Sequence, residues 1–369
     1  MAGMSFEEYV QAYYGGTLGI AKRYGIQKAD DTFELSDPAG AFNTMYGAAV
    51  FNQLNTKSEV FKLLKKEAWT QSGWRVLTGR HATTAGLAEG AAFPDTDKPD
   101  ISEVTATLKE VVSPWEVTTR AELLSEADDG IKGILNFLRT EAAEAHTFFM
   151  DQMLLASSET VAGNNLESLD RVTMSDAAAN ATLSARADID MYDIDRSAAS
   201  WADATVSHNS GSDRALTLAM LDTIIQGALE NGVNYSDLIL LTGYDTYQDL
   251  KALMLSTTNN TFRADLSASG GANANGVVGE AGLNFDSRVG AYDGIPIFLS
   301  QHVAKDTTSR IHLLDMSNLA IRVAAPTTYV DNTNLAVLQK LSKEFAFVTA
   351  GELVCYRFNT SGSVRDLNA

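Results

Sequence analysis

Apolar residues recur at Ile131, Ile134, Leu135, Leu138, Ala142, Ala145, Phe149 and Met153, the three-and-four spacing that lines one face of an α-helix. The pattern predicts one long helix from Ser125 to Ser157, about 50 Å at 1.5 Å per residue. That exceeds what a compact domain of ordinary size needs. Ser125 with Asp128 reads as a capping box, and Glu126, Asp128 and Asp129 put negative charge where the helix dipole favours it. Gly130 and Gly133 weaken its first turn. Its apolar face is expected against Phe345 to Phe358, and its polar side toward solvent or a neighbour.

Before this helix the pattern is broken into short pieces. Phe6, Tyr9, Val10 and Tyr13 share one helical face, and Tyr46, Val50 and Leu54 another. Val60, Phe61 and Leu64 predict a third helix whose solvated face carries Lys62, Lys65 and Lys66. Trp74 to Thr78 reads as a strand, and Val104 to Arg120 as one or two more, interrupted near Pro114. Between them Gly79 to Asp100 has no period of its own, which marks a functional or disordered loop. A two-stranded hairpin cannot cover its own faces, so this arm is expected to lean on another molecule.

After Gly163-Asn164-Asn165, a short apolar patch at Leu166, Leu169 and Val172 leads into a polar stretch. Asp188, Asp190, Asp193 and Asp195 follow. On a strand the first two carboxylates would face one way and the second two the other, which argues against one metal site, and a calcium loop's glycine and terminal Glu are missing. Leu216 to Glu230 predicts a helix stopped by Asn231-Gly232, Leu238 to Leu241 a buried strand, and Asp245 to Leu255 a helix. Thr257 to Gly282 reads as a flexible loop. Val289 to Ser300 reads as a hairpin turning at Tyr292-Asp293-Gly294, Ile311 to Val323 as further strands, and Phe345 to Phe358 as two β segments broken at Gly351.

Composition narrows the function. The 369 residues carry a net charge of -19, with 28 basic side chains spread thinly, which argues against a general nucleic-acid groove. Cys355 stands alone, so neither an intramolecular disulfide nor a thiolate zinc site is available. Met1 to Val10 lacks the basic start of an export signal, and no apolar run approaches the roughly 18 residues of a membrane span.

No catalytic constellation emerges. Nucleophile elbow, phosphate loop, dinucleotide turn and zinc-protease motif are all missing. His81, His146, His208, His302 and His312 are scattered and read as surface or satisfied core histidines, and Cys355 as a small buried hydrophobe. The reading is therefore not an enzyme, with no cofactor, metal or catalytic residue. An acidic hydrolase would need His302, His312 and nearby carboxylates to converge in a pocket.

The order of elements resembles the major capsid protein of tailed double-stranded DNA viruses, the Hong Kong-type capsid fold. Glu67 to Thr70 and Gly73 to Val76 resemble the approach to that family's extended loop, and Phe93-Pro94-Asp95-Thr96 to Lys98-Pro99 its tip. Gly243 to Tyr247, Tyr292 to Ile297, Ile311 to Asp315, Leu319 to Val323, Pro326-Thr327, Gly351 to Val354 and Val364 to Leu367 are similar to its later stretches. The resemblance implies an α+β fold with an N-terminal arm (1–70), extended loop (71–120), peripheral domain with a spine helix (121–165), polar insertion or domain connection (166–213), axial domain (214–333) and return strands (334–369). It implies assembly-loop residues Gly86, Phe93, Pro94, Lys98 and Pro99, spine residues Ile131, Leu135, Leu138, Phe149 and Met153, and axial residues Tyr244, Tyr292, Gly294 and Pro296. Pentamers and hexamers would form an icosahedral virion shell in the host cytoplasm around double-stranded DNA held without sequence specificity. Further copies of the chain are the main partners, with portal, scaffolding or decoration proteins beside them and no membrane. Some relatives crosslink a loop lysine to an asparagine; Lys98, Asn332 and Asn334 are the residues to watch. An encapsulin-like compartment is the alternative.

Overall fold

The computed structural model describes residues 32–33, 60–80, 86–93, 97–126, 134–157, 163–182, 190–256, 288–332 and 341–368. In chain order the strands are β1 (Thr32–Phe33), β2 (Lys65–Ala68), β3 (Gly73–Gly79), β4 (Asp100–Thr105), β5 (Lys109–Thr118), β6 (Thr205–Ser207), β7 (Leu238–Thr242), β8 (Arg288–Tyr292), β9 (Ile295–Leu299), β10 (Ser309–Asp315), β11 (Leu319–Asn332), β12 (Ser342–Cys355) and β13 (Gly362–Leu367). The α-helices are α1 (Val60–Leu63), α2 (Thr119–Glu126), α3 (Ile134–Leu154), α4 (Leu169–Val172), α5 (Asp176–Thr182), α6 (Leu218–Glu230) and α7 (Tyr244–Ser256). Two compact units are built from separate segments: Met1–Lys57, Val111–Phe149 and Ala325–Thr349 form one, and Ser58–Glu110, Met150–Ala324 and Ala350–Ala369 the other.

In the first unit the strand order is β1-β5-β12-β11. Aromatic rings stack along these strands. Trp115 stacks on Phe345 with centroids 4.4 Å apart, Phe345 stacks on Tyr329 at 5.6 Å, and Arg139 lies 4.5 Å over Tyr329. His146 is fully buried, held between the hydroxyls of Ser113 and Thr349 at 2.8 Å each. β5 runs unbroken through Pro114, contrary to the expected interruption. Proline costs a strand one donor, yet the strand continues on both sides of it.

In the second unit a six-stranded mixed sheet, ordered β6-β13-β10-β7-β9-β8, is the dominant layer. β7, β9 and β10 are buried at every position, the signature of strands covered on both faces. Leu221, Ile224 and Ile225 of α6 meet Leu240, Ile297 and Leu313 in one core. The β8–β9 hairpin turns at Asp293 (φ 49°) and Gly294 (φ 81°), the paired left-handed geometry that an Asp-Gly turn supplies. β2 pairs in parallel with β11, Lys65 opposite Ala320 and Ala68 opposite Val323.

Several expectations need correction. The described helix is α3, 21 residues from Ile134 to Leu154, about 32 Å long, and Ser125 and Glu126 belong to α2. Its most buried positions are Ile134, His146, Met150, Asp151 and Leu154, whereas Phe149 is 49% exposed, so the covered face is rotated from the predicted one. Lys65 and Lys66 lie on β2, because α1 is a single turn ending at Leu63. Asp190 to Asp195 is a tight turn, with Tyr192 and Asp193 at φ 55° and 58°. The backbone N–H of Arg196 donates to Asp190 and that of Ser197 to Asp195. Finally, Gly351 does not break β12. A Cβ there would sit 2.5 Å from the Arg322 carbonyl oxygen, so the glycine permits close backbone approach inside a continuous strand. The capping residue Asp128, the N-terminal helical faces and the loop Thr257 to Gly282 fall outside the described residues.

Candidate assembly surfaces

β3 and β4 form a separate antiparallel ribbon, with Trp74 opposite Val104, Arg75 opposite Glu103 and Leu77 opposite Ile101. Alternation gives it two unlike faces. Trp74 is edge-on to Tyr192 at 5.2 Å and to Tyr356 at 5.9 Å, with the Arg322 guanidinium 5.4 Å from both Trp74 and Tyr356. The other face is open. Leu77 is 60% and Ile101 59% exposed, beside an Arg75–Glu103 pair at 3.1 Å.

The chain beyond this ribbon carries the predicted loop residues. Gly86, Lys98 and Pro99 are exposed, Phe93 is 88% exposed, and Pro94 lies outside the described residues. Leu135, Leu138 and Met153 on α3 are half-buried; Ile131 also lies outside the described set. Tyr244 opens α7 and is 41% exposed, while Tyr292 is buried and its hydroxyl donates to Asp222 at 2.6 Å. Gly294 forms the hairpin turn and Pro296 is buried on β9. The predicted residues thus fall into open positions (Gly86, Phe93, Lys98, Pro99, Phe149, Tyr244) and framework positions (Tyr292, Gly294, Pro296).

Two buried charge clusters in the second unit have no motif that would announce them. Asp170 of α4 accepts from Arg365 at 2.7 and 3.3 Å and from Arg310, with His312 Nε2 4.0 Å away. Burial among these arginines pushes the His312 imidazole down to about 4, leaving it neutral at pH 7, with Nδ1 2.9 Å from the Thr173 hydroxyl. The second cluster lines a cavity of about 630 Å³. There Lys109 Nζ lies 3.0 Å from Glu352 and 3.4 Å from Glu167, and Arg171 donates to Glu167 at 3.1 Å. Burial raises the Glu352 carboxyl to about 7, Lys109 opposing. Both clusters tie the stretch after Gly163 into the unit's interior. Glu167, Asp170 and Arg171 are therefore internal connectors, and only the i,i+4 spacing of Glu167 and Arg171 hinted at it.

A protein-family model for the SU10 major capsid protein matches residues 85–341, more than half of the chain. The chain belongs to the SU10 major capsid protein family. No curated relative matches it. Among solved structures, this capsid protein is similar to the Cyanophage A-1(L) capsid asymmetric unit, with TM-score 0.62 and 14% identity over 87% of this chain and 96% of that one. It is also similar to the capsid of a native GTA particle computed with C5 symmetry (TM-score 0.56, 12% identity, 92% and 100% covered) and to a chain of Mycobacterium phage Ogopogo (0.53, 10%, 94% and 98%). The fold is the α+β Hong Kong type. The protein is a structural component of a phage virion capsid and not an enzyme, and the encapsulin-like alternative is not favoured.

In a capsid protein the buried clusters act on the fold. His146 and His312 are satisfied core histidines bonded to hydroxyls. Cys355 is fully buried, donates to the Arg357 carbonyl, and has its thiol pushed up to about 12 by burial. Among the described residues no group of His, Cys, Asp and Glu could hold a metal, and no helix is long and apolar enough to cross a membrane.

Proposed function

We propose that this capsid protein assembles as pentamers and hexamers into an icosahedral shell that encloses double-stranded DNA, using the segment beyond the β3–β4 ribbon to reach over an adjacent subunit. The observation that carries the reading is the open ribbon face and tip, where Leu77, Ile101 and Phe93 are each more than half exposed. Covering such apolar surface contributes about 25 cal/mol per Å², and many modest contacts repeated around closed symmetry add up to a stable shell. In this reading α3 is the spine of the peripheral domain, the six-stranded sheet is the axial domain, and portal, scaffolding or decoration proteins complete a particle built in the host cytoplasm. The net charge of -19 fits an inner wall that repels phosphates and leaves the genome mobile. Lys98 is exposed near the loop tip, where a crosslinking lysine would have to lie.

Electron micrographs of the purified full-length protein test the proposal. Closed shells with fivefold and sixfold capsomers are expected; only dispersed monomers or open filaments under conditions that keep the chain folded would contradict it.

A further inference from the structure

A groove of about 510 Å³ in the second unit is lined by the consecutive residues Arg75 to Arg80 and by Trp201 and Tyr356 to Asn359. A lining that takes every residue of a strand, whichever face it occupies, follows the strand's edge. β3 is hydrogen-bonded only to β4 among the described residues, so this other edge presents backbone N–H and C=O groups to a further strand.

The groove is also basic in an acidic protein. Arg75, Arg80 and Arg357 line it, and no carboxylate does among the described residues, although the chain carries a net charge of -19. Arg357 donates to the neutral Asn231 carbonyl at 2.7 Å, and among the described residues Arg75 pairs with the exposed Glu103. Trp201, edge-on to Phe358 at 6.1 Å, adds an aromatic wall. An occupant matched to these features is extended, acidic and bears an aromatic ring. The stretch Gly86 to Pro99 supplies the charge and the ring: Glu89, Asp95 and Asp97 outnumber Lys98, and Leu87 and Phe93 are 47% and 88% exposed. The N-terminal stretch is a poorer match, since Met1 to Asp31 balances Glu7, Glu8, Asp30 and Asp31 against Lys22, Arg23 and Lys28.

We infer that the acidic tip around Phe93 of one copy adds as a strand to the open β3 edge of a second copy, seated between its Arg80, Arg357 and Trp201. The inference rests on the proposed reach of the loop to an adjacent subunit and names the receiving site. Tip and groove are different surfaces of one chain, so the contact is heterologous and repeats head-to-tail around a closing ring.

Cys355 is fully buried, so introduced cysteines can be read cleanly. Full-length shells carrying Phe93→Cys with Thr78→Cys, or Phe93→Cys with Asn359→Cys, are oxidised and run on a non-reducing denaturing gel. A ladder of covalent multimers is expected, absent from each single variant. A faster-migrating closed monomer would overturn the second copy as occupant, and intact shells without any crosslink would overturn the groove. If the cysteine pairs do not assemble, charge exchange decides. Arg80→Glu with Arg357→Glu should lower shell yield roughly tenfold through like-charge contact, and adding Asp95→Lys and Asp97→Lys should restore it. No loss, or loss without rescue, overturns the inference. Excision of Thr83 to Pro99 separates the two levels: lost shells without a groove crosslink leave the loop reading standing, whereas unchanged shells end both.

Discussion

The six-stranded sheet and the β3–β4 ribbon lie in the same unit and use the same kinds of residue, yet they solve opposite problems. β7, β9 and β10 bury every side chain, with α6 closing over Leu240, Ile297 and Leu313. The ribbon packs Trp74 inward and leaves its Leu77–Ile101 pair about 60% exposed. Apolar strands are therefore stable alone only where the chain itself supplies both covers. On the proposed reading, the uncovered face is where a second subunit contributes.

Substitutions can break or sharpen that contrast. The largest loss is expected from Asp170→Ala, which strands Arg310 and Arg365 in the interior; removing one partner of a buried pair costs about 3–5 kcal/mol, read by chemical denaturation. Leu313→Ala, fully buried on β10, should cost about 2–5 kcal/mol in the same assay. By contrast, Leu77→Ser with Ile101→Ser should leave unfolding within about 0.5 kcal/mol while reducing shell yield. A large loss of subunit stability there would erase the distinction.

The two buried clusters predict opposing pH slopes. His312 titrates near 4 when folded against 6.5 as a free imidazole, so the unfolded chain binds the extra proton and stability falls as pH drops from 6.5 to about 4. Glu352 is raised from 4.5 to about 7, so the folded chain holds the proton and stability falls as pH rises through that range. Their slopes cancel between pH 4.5 and 6.5. Glu352→Gln should unmask a loss of stability on acidification, and His312→Gln the reverse tilt; two variants with parallel profiles would refute the assignment. The smallest effect is expected at Arg75→Ala, since its partner Glu103 is 72% exposed and such surface pairs contribute about 0–1 kcal/mol.

Periodicity made the local elements legible. Trp74 to Thr78, Leu238 to Leu241, the Asp293-Gly294 turn and the Asn231-Gly232 helix stop all read correctly, because each depends on neighbours in sequence. Long-range packing was illegible. Nothing near Gly351 reveals that the Arg322 carbonyl passes 2.5 Å from its missing Cβ, and nothing near Asp170 reveals arginines 140 and 195 residues away. The covered face of α3 shifted for the same reason: buried His146 is held by Ser113 and Thr349, partners that no apolar count includes. For the assembly surface, the loop's lack of period was readable, but the exposure of Phe93 and the basic groove beside β3 required the fold, which brings Arg80 and Arg357 together.

On the proposed reading the loop serves the shell and not the subunit. Replacing Thr83 to Pro99 with a short turn, then following thermal unfolding together with electron microscopy, tests it most directly. Folded subunits or capsomers with a melting temperature near that of the intact protein and no stable shells are predicted; shells forming at unchanged yield would contradict the account.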